Sequence, residues 1–202
     1  SSTSDSPCME TPSEVQVEPP VSLVNGVTVR AFNSLYYNRQ RQHRQRALVH
    51  YAPFFYPLDA VLEWNRIYGP QGFFQYQCVL PGADARPAVR EVLERIAASG
   101  EGSFLAVMKV FGDVPSPGIL SFPRAGVTLA VDFPNRGART LALMERLDAV
   151  VRAAGGRNYP AKDARMSVES FDQYYPQWRE LLPFIDPGLS SSFGRRVTGA
   201  AA

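Results

Sequence analysis

Between residues 73 and 81 apolar and polar positions alternate. In GFFQYQCVL, Phe74, Tyr76, Cys78 and Leu80 fall on one side of an extended chain, while Gln75 and Gln77 share the other with Phe73 and Val79. The period then changes: RPAVREVLERIAASG sets Val89, Val92, Leu93 and Ile96 on one helical stripe, opened by Pro87 and stopped by Gly100. SFLAVMKVFG returns to period two, with Phe104, Ala106, Met108 and Val110 opposite Leu105, Val107, Lys109 and Phe111. After a Pro/Gly turn, GVTLAVDFP sets Val127, Leu129, Val131 and Phe133 against Thr128, Ala130 and Asp132. ARTLALMERLDAVVRAAGG is the strongest helical pattern, with Leu143, Leu147, Val150 and Ala154 on its stripe and Gly155 or Gly156 as its cap. A short extended RNYPA closes the series.

Written as elements this is β, α, β, β, α, β, the ferredoxin-like order, and it predicts an α+β fold with both helices on one face of an antiparallel sheet. Phe74, Tyr76, Met108, Leu129 and Val131 are expected beneath the helices, because the two-residue period assigns every side chain to a face. The uncovered face then carries Gln75, Gln77, Lys109, Phe111 and Thr128. Polar groups mixed with aromatics on an open sheet face read as a binding surface.

Upstream the pattern is weaker. Residues 1–20 are rich in Ser, Thr, Pro and Glu and read as a flexible lead or linker. Val29, Phe32, Leu35 and Tyr36 follow at helical spacing, and then Arg39, Arg41, Arg44 and Arg46, which suit a solvated face better than a polyanion site. PLDAVLEWNRIYG reads as a short helix with Pro57 at its start and Gly69 after its last turn.

Composition narrows the function classes. At 202 residues, 45% hydrophobic and a net charge of +2, the chain falls in the ordinary globular range, and the charge is too small to imply nucleic acid. The strand containing Lys109 also lacks the aromatic RNA-binding order of RRM sheets. No run approaches the 18 apolar residues of a membrane span. Cys8 and Cys78 form no disulfide framework and are expected reduced, and with His43 and His50 they make no metal-binding spacing. Dinucleotide, P-loop and nucleophile-elbow motifs are absent.

Of 21 basic residues only Lys109 and Lys162 are lysine. An ammonium is a compact point charge that can serve where a guanidinium cannot, so these two positions stand out as candidate chemistry.

Several long stretches together carry a resemblance: FFYPLDAVLEWNRIYGPQGFFQYQCVLP, SFLAVMKVFG, LSFP, VDFP and GGRNYPAKDAR. Over roughly residues 21–200 the chain resembles the substrate-domain half of FAD-linked oxidases of the vanillyl-alcohol oxidase fold. Decaprenylphosphoryl-ribose oxidases are the nearest branch, with aldonolactone oxidases further off. The resemblance implies FAD as cofactor, held mainly by an N-terminal FAD-binding domain missing from this chain. It also implies a cap domain over residues 21–156 and a segment 157–202 that would return to the FAD domain. By motif, Asn65, Arg66, Gln75 and Gln77 would line the substrate pocket, Lys109 and Phe111 would face the substrate, and Tyr159 and Lys162 would lie at the flavin edge.

Thr128 and Ala130 stand where some members carry Asn and Cys, and Val61 and Phe55 replace aromatics of the pocket wall, which bears on the substrate more than on the reaction. The implied chemistry is oxidation of a secondary alcohol of a sugar or polyprenyl-phosphate sugar, with hydride passing to flavin N5, Lys162 and Lys109 as catalytic groups, and neither metal nor nucleic acid expected to take part. A reductase partner and a cytoplasmic, membrane-proximal location would fit such a substrate. The rival expectation is a stand-alone ferredoxin-like binding module, in which Gln75 and Gln77 are a solvated strand face and Asp163 caps a helix over ARMSVESF.

Overall fold

The structure, a computed structural model, describes residues 13–14, 19–44, 46–51, 55, 61–82, 85–103, 105–186 and 188–199. Its centre is a four-stranded antiparallel sheet of β1 (Phe73–Pro81), β2 (Ala106–Phe111), β3 (Gly126–Pro134) and β4 (Arg157–Asn158), in spatial order β2-β3-β1-β4. This is the ferredoxin-like order, with the two long strands adjacent at the centre. After a first helix, α1 (Gly26–Asn38), the crossover helices α2 (Ala85–Ser99) and α3 (Ala138–Ala153) pack on one face of that sheet. Beyond β4 come α4 (Val168–Tyr174), a 3-10 stretch Pro176–Phe184 and α5 (Ser192–Thr198).

The core follows from the period-two pattern. Tyr76, Cys78, Leu80, Leu129, Val131 and Phe133 are buried against Val92, Leu143, Leu147 and Val151 of the two helices. Each large apolar side chain so buried contributes roughly 1.5–3 kcal/mol. Phe74 is partly buried at the rim of the same core. Met108 corrects the expectation: it pairs with Leu129 in register on the helix side, yet it is 53% exposed. The reason is topological, since β2 is the edge strand and the two crossover helices cover the central pair.

Other boundaries also shift. The middle strand starts at Ala106 rather than Ser103, because the Ser103 hydroxyl donates to the Leu105 carbonyl and accepts from the Leu105 amide, closing a local turn. The helix expected between Pro57 and Gly69 is a 3-10 stretch, Trp64–Tyr68, with Glu63 in the left-handed region before it and Gly69 after it; Pro57 lies outside the described residues. Val61–Leu62 instead pairs in parallel with Ser13–Glu14, within the segment expected to be a flexible lead.

Helix α1 forms as its spacing predicts, opened by a reciprocal cap in which Asn25 accepts from the Val27 and Thr28 amides and Thr28 accepts from the Asn25 amide. Its stripe does not enter the main core. Val29 is buried with Val24 and Tyr68 in a small second cluster, whereas Leu35 and Tyr36 are exposed.

Candidate functional site

The uncovered sheet face holds a cleft of about 150 Å³ lined by Gln75, Gln77, Lys109, Ala130, Asp132 and Lys162, among others. Strand geometry brings five of these together. Gln75 pairs with Asp132 and Gln77 with Ala130 across β1 and β3, while Lys109 pairs with Thr128 across β2 and β3. Lys162 arrives from outside the sheet, at the end of the 3-10 turn Pro160–Lys162 that follows β4. Both lysines of the described chain thus border one cleft.

The turn carrying Lys162 is anchored on both sides. Before it, the Tyr159 amide donates to the Gln77 carbonyl at 2.8 Å, and the Asn158 side chain donates to Asp148 of α3 at 2.5 Å. After it, Arg165 donates to the other Asp148 oxygen at 2.7 Å and to Glu145 at 2.6 Å. Asp163 accepts from the Arg165 and Met166 amides and pairs with Arg196 of α5. Asp163 therefore caps this turn and not a helix; the N-cap of α4 is Ser167, whose hydroxyl accepts from the Ser170 amide. Gly156 permits the close approach of this segment to the sheet, because a Cβ there would lie 2.7 Å from the Val79 carbonyl oxygen and 2.8 Å from Val151.

Individual residues take distinct places. Thr128 lines the cleft but is buried, donating to the Cys78 carbonyl at 2.9 Å and accepting from the Gln77 amide at 3.3 Å, so it orients Gln77. Phe111 lies on the same face beyond the cleft, in an edge-on contact with Phe122, which packs in turn on Tyr159 with ring centres 4.8 Å apart. Tyr159 borders a smaller adjoining recess that also reaches Gln75, Gln77 and Lys162. Asn65 and Arg66 are not among the residues lining either space; Arg66 is within 3.4 Å of Glu63 in the 3-10 stretch. Phe55 is exposed, and the side chain of Val61 is not described.

Asp132 was not singled out by sequence reasoning beyond its place in the alternation of GVTLAVDFP, on the side away from the helices. It is 4% exposed, and burial raises its carboxyl above the ordinary range, partly offset by the Gln75 amide and the positive charge of Lys162. The available signal was its period-two alignment with Thr128 and Ala130.

Opposite the cleft, burial pushes the Cys78 thiol up to about 12, with nearby Asp148 adding to the effect. Among the described residues, no three His, Cys, Asp or Glu side chains converge to hold a metal ion, and no helix is long and apolar enough to cross a membrane.

Fold and cleft together define an open-faced ferredoxin-like domain with side-chain amides, two ammonium groups and one buried carboxyl around one cleft. Comparison with known proteins gives this class a closer relation. The chain is 36% identical over 183 residues to decaprenylphosphoryl-beta-D-ribose oxidase of Mycolicibacterium smegmatis, covering 88% of this chain and 39% of that protein. It is also 36% identical over 132 residues to an uncharacterized protein in the mprA 5' region of Streptomyces coelicolor, covering 63% of this chain and 35% of that protein. No family model matches the chain. The resemblance carried by the sequence motifs is thus borne out at the level of the oxidase, and the chain spans well under half the length of these relatives.

Proposed function

We propose that this chain supplies the substrate-binding face of a flavin-dependent oxidoreductase that oxidises a secondary alcohol of a sugar or sugar-lipid. The observation that carries the proposal is the convergence of Gln75, Gln77, Lys109 and Lys162 on one cleft, in a chain similar to an oxidase named for a lipid-linked ribose. Sugar hydroxyls need paired donors and acceptors, and side-chain amides offer both. A phosphoryl group attached to the sugar would be met by the ammonium of Lys109, which is exposed on β2 at the rim.

The donor set also fits one edge of a flavin ring. The Lys162 backbone amide donates to the Tyr159 carbonyl, while its ammonium makes no hydrogen bond or salt bridge among the described residues, so its three side-chain donors can meet an acceptor, and Tyr159 adds an aromatic wall beside it. When bound, FAD would supply the two-electron acceptor for the alcohol's hydride. Within the cleft Lys162 would hold positive charge where negative charge develops during reduction, while Gln75 and Gln77 would orient the alcohol. The FAD-binding portion would come from sequence beyond this chain, corresponding to the length of the relatives that it does not span.

The test is expression of the complete reading frame, followed by anaerobic titration with decaprenylphosphoryl-β-D-ribose. Stoichiometric flavin that bleaches on addition of the sugar-lipid supports the proposal. A protein without flavin, or with flavin indifferent to that and related sugar alcohols, overturns it.

A further inference from the structure

We infer that Asp132 is the group that accepts the substrate's hydroxyl proton. The inference deepens the oxidoreductase reading above and rests on it.

Three observations carry it. Asp132 is the only carboxyl among the described residues lining the cleft, and a proton acceptor needs the lone pair that an ammonium lacks. Its Oδ2 is buried without a hydrogen-bond partner among the described residues. The other buried acids provide the contrast. Asp148 is hydrogen-bonded by Asn158 and Arg165, and Glu101, whose Oε1 also lacks a hydrogen bond, has that oxygen ion-paired with Arg136 and Arg139, whereas Asp132 has no ion pair within 4 Å among the described residues. A buried carboxylate oxygen left open lowers stability, and proteins retain such groups where function requires them.

Charge around the group suits the role. The titratable groups facing it are Lys162 from the turn after β4, Lys109 from β2 across the cleft, and Tyr68 from the 3-10 stretch before β1. Tyr68 is pushed up to about 12, chiefly by burial, and stays neutral. Burial raises the Asp132 carboxyl, with the Gln75 side chain and Lys162 offsetting part of the shift, so the group is a stronger proton acceptor than an ordinary carboxylate.

The step balances. The alcohol C–H bond breaks and its electron pair leaves with hydrogen as hydride to the flavin. The O–H bond breaks and its proton passes to Asp132, and a C=O bond forms. Asp132 then returns the proton to water.

The experiment uses the complete flavoenzyme with Asp132→Asn and Asp132→Glu. Stopped-flow reduction by decaprenylphosphoryl-β-D-ribose is recorded against pH, together with substrate affinity from the flavin spectrum and Tm against pH. Asp132→Asn is expected to bind substrate nearly as the parent does, reduce its flavin about 10²–10⁴-fold more slowly, and lose the acidic limb of the rate profile. It should also melt higher than the parent at neutral pH. The folded state holds the Asp132 proton more tightly than the unfolded chain does, so ionisation costs stability above the folded pKa. That cost is absent once pH falls below the ordinary carboxylate range, and the Tm advantage should fade there. Asp132→Glu should retain the acidic limb at a shifted position, which serves as the decisive readout if the asparagine variant does not fold.

Reduction within about threefold of the parent, or a slower rate with the acidic limb unchanged, overturns the inference and leaves the proposed function standing. A parent enzyme that carries flavin but is never reduced by sugar alcohols removes both.

Discussion

Asp148 offers the sharpest test of how Lys162 is seated. Its carboxylate, 2% exposed, receives Asn158 from one side of the lysine-bearing turn and Arg165 from the other. Asp148→Ala removes both acceptors at once. Breaking a buried ion pair by deleting one partner costs about 3–5 kcal/mol, since the other charge is left without compensation. Here Arg165 keeps Glu145 at 2.6 Å, so the lower end applies, about 3 kcal/mol. For a folding unit of this chain's length that is a Tm fall of about 6–12 °C, read from the unfolding transition of this domain.

Asp148→Asn should cost much less. Burial raises the Asp148 carboxyl, with Arg165, Asn158 and Tyr76 offsetting only part of the effect, so the charge itself is expensive while the acceptor is useful. Because the turn is held from both sides, the alanine variant should also bind substrate more weakly. A Tm loss under about 2 °C for Asp148→Ala, or equal losses for both variants, would refute the argument.

Lys162→Ala should slow flavin reduction about 10²-fold or more, the scale of losing one preorganised donor to a developing negative charge; Lys162→Arg should restore little, because the broad planar guanidinium does not replace a compact ammonium. A parent-like stopped-flow rate in the alanine variant would reject the assignment. Gly156→Ala should destabilise by about 1–3 kcal/mol through overpacking against Val79 and Val151, measured by denaturant midpoint. Cys78 should resist thiol reagents at pH 8 until the protein unfolds, since its thiolate is strongly disfavoured in the fold; rapid native-state labelling would contradict its burial.

The alternation in GFFQYQCVL, SFLAVMKVFG and GVTLAVDFP was enough to divide the central sheet into a core face and an open face, and with it to place Gln75, Gln77, Lys109 and Thr128 together. That division is local physics: an extended chain turns successive side chains to opposite sides, and two strong helical stripes need the apolar side. The long-range results were not legible in the same way. Met108 shares the apolar period but lies on an edge strand that the helices do not reach, and only the strand order reveals this.

Lys162 could be named from its rarity and its motif, but its position depends on Asp148, Asn158 and Arg165 meeting across three elements. Asp132 shows the limit most clearly. Its sequence context is that of any strand-end acid, and its character comes from the packing that buries one oxygen and leaves it unpartnered. Periodicity assigns a side chain to a face, whereas desolvation depends on every chain segment that covers it, and that sum exists only in the folded molecule.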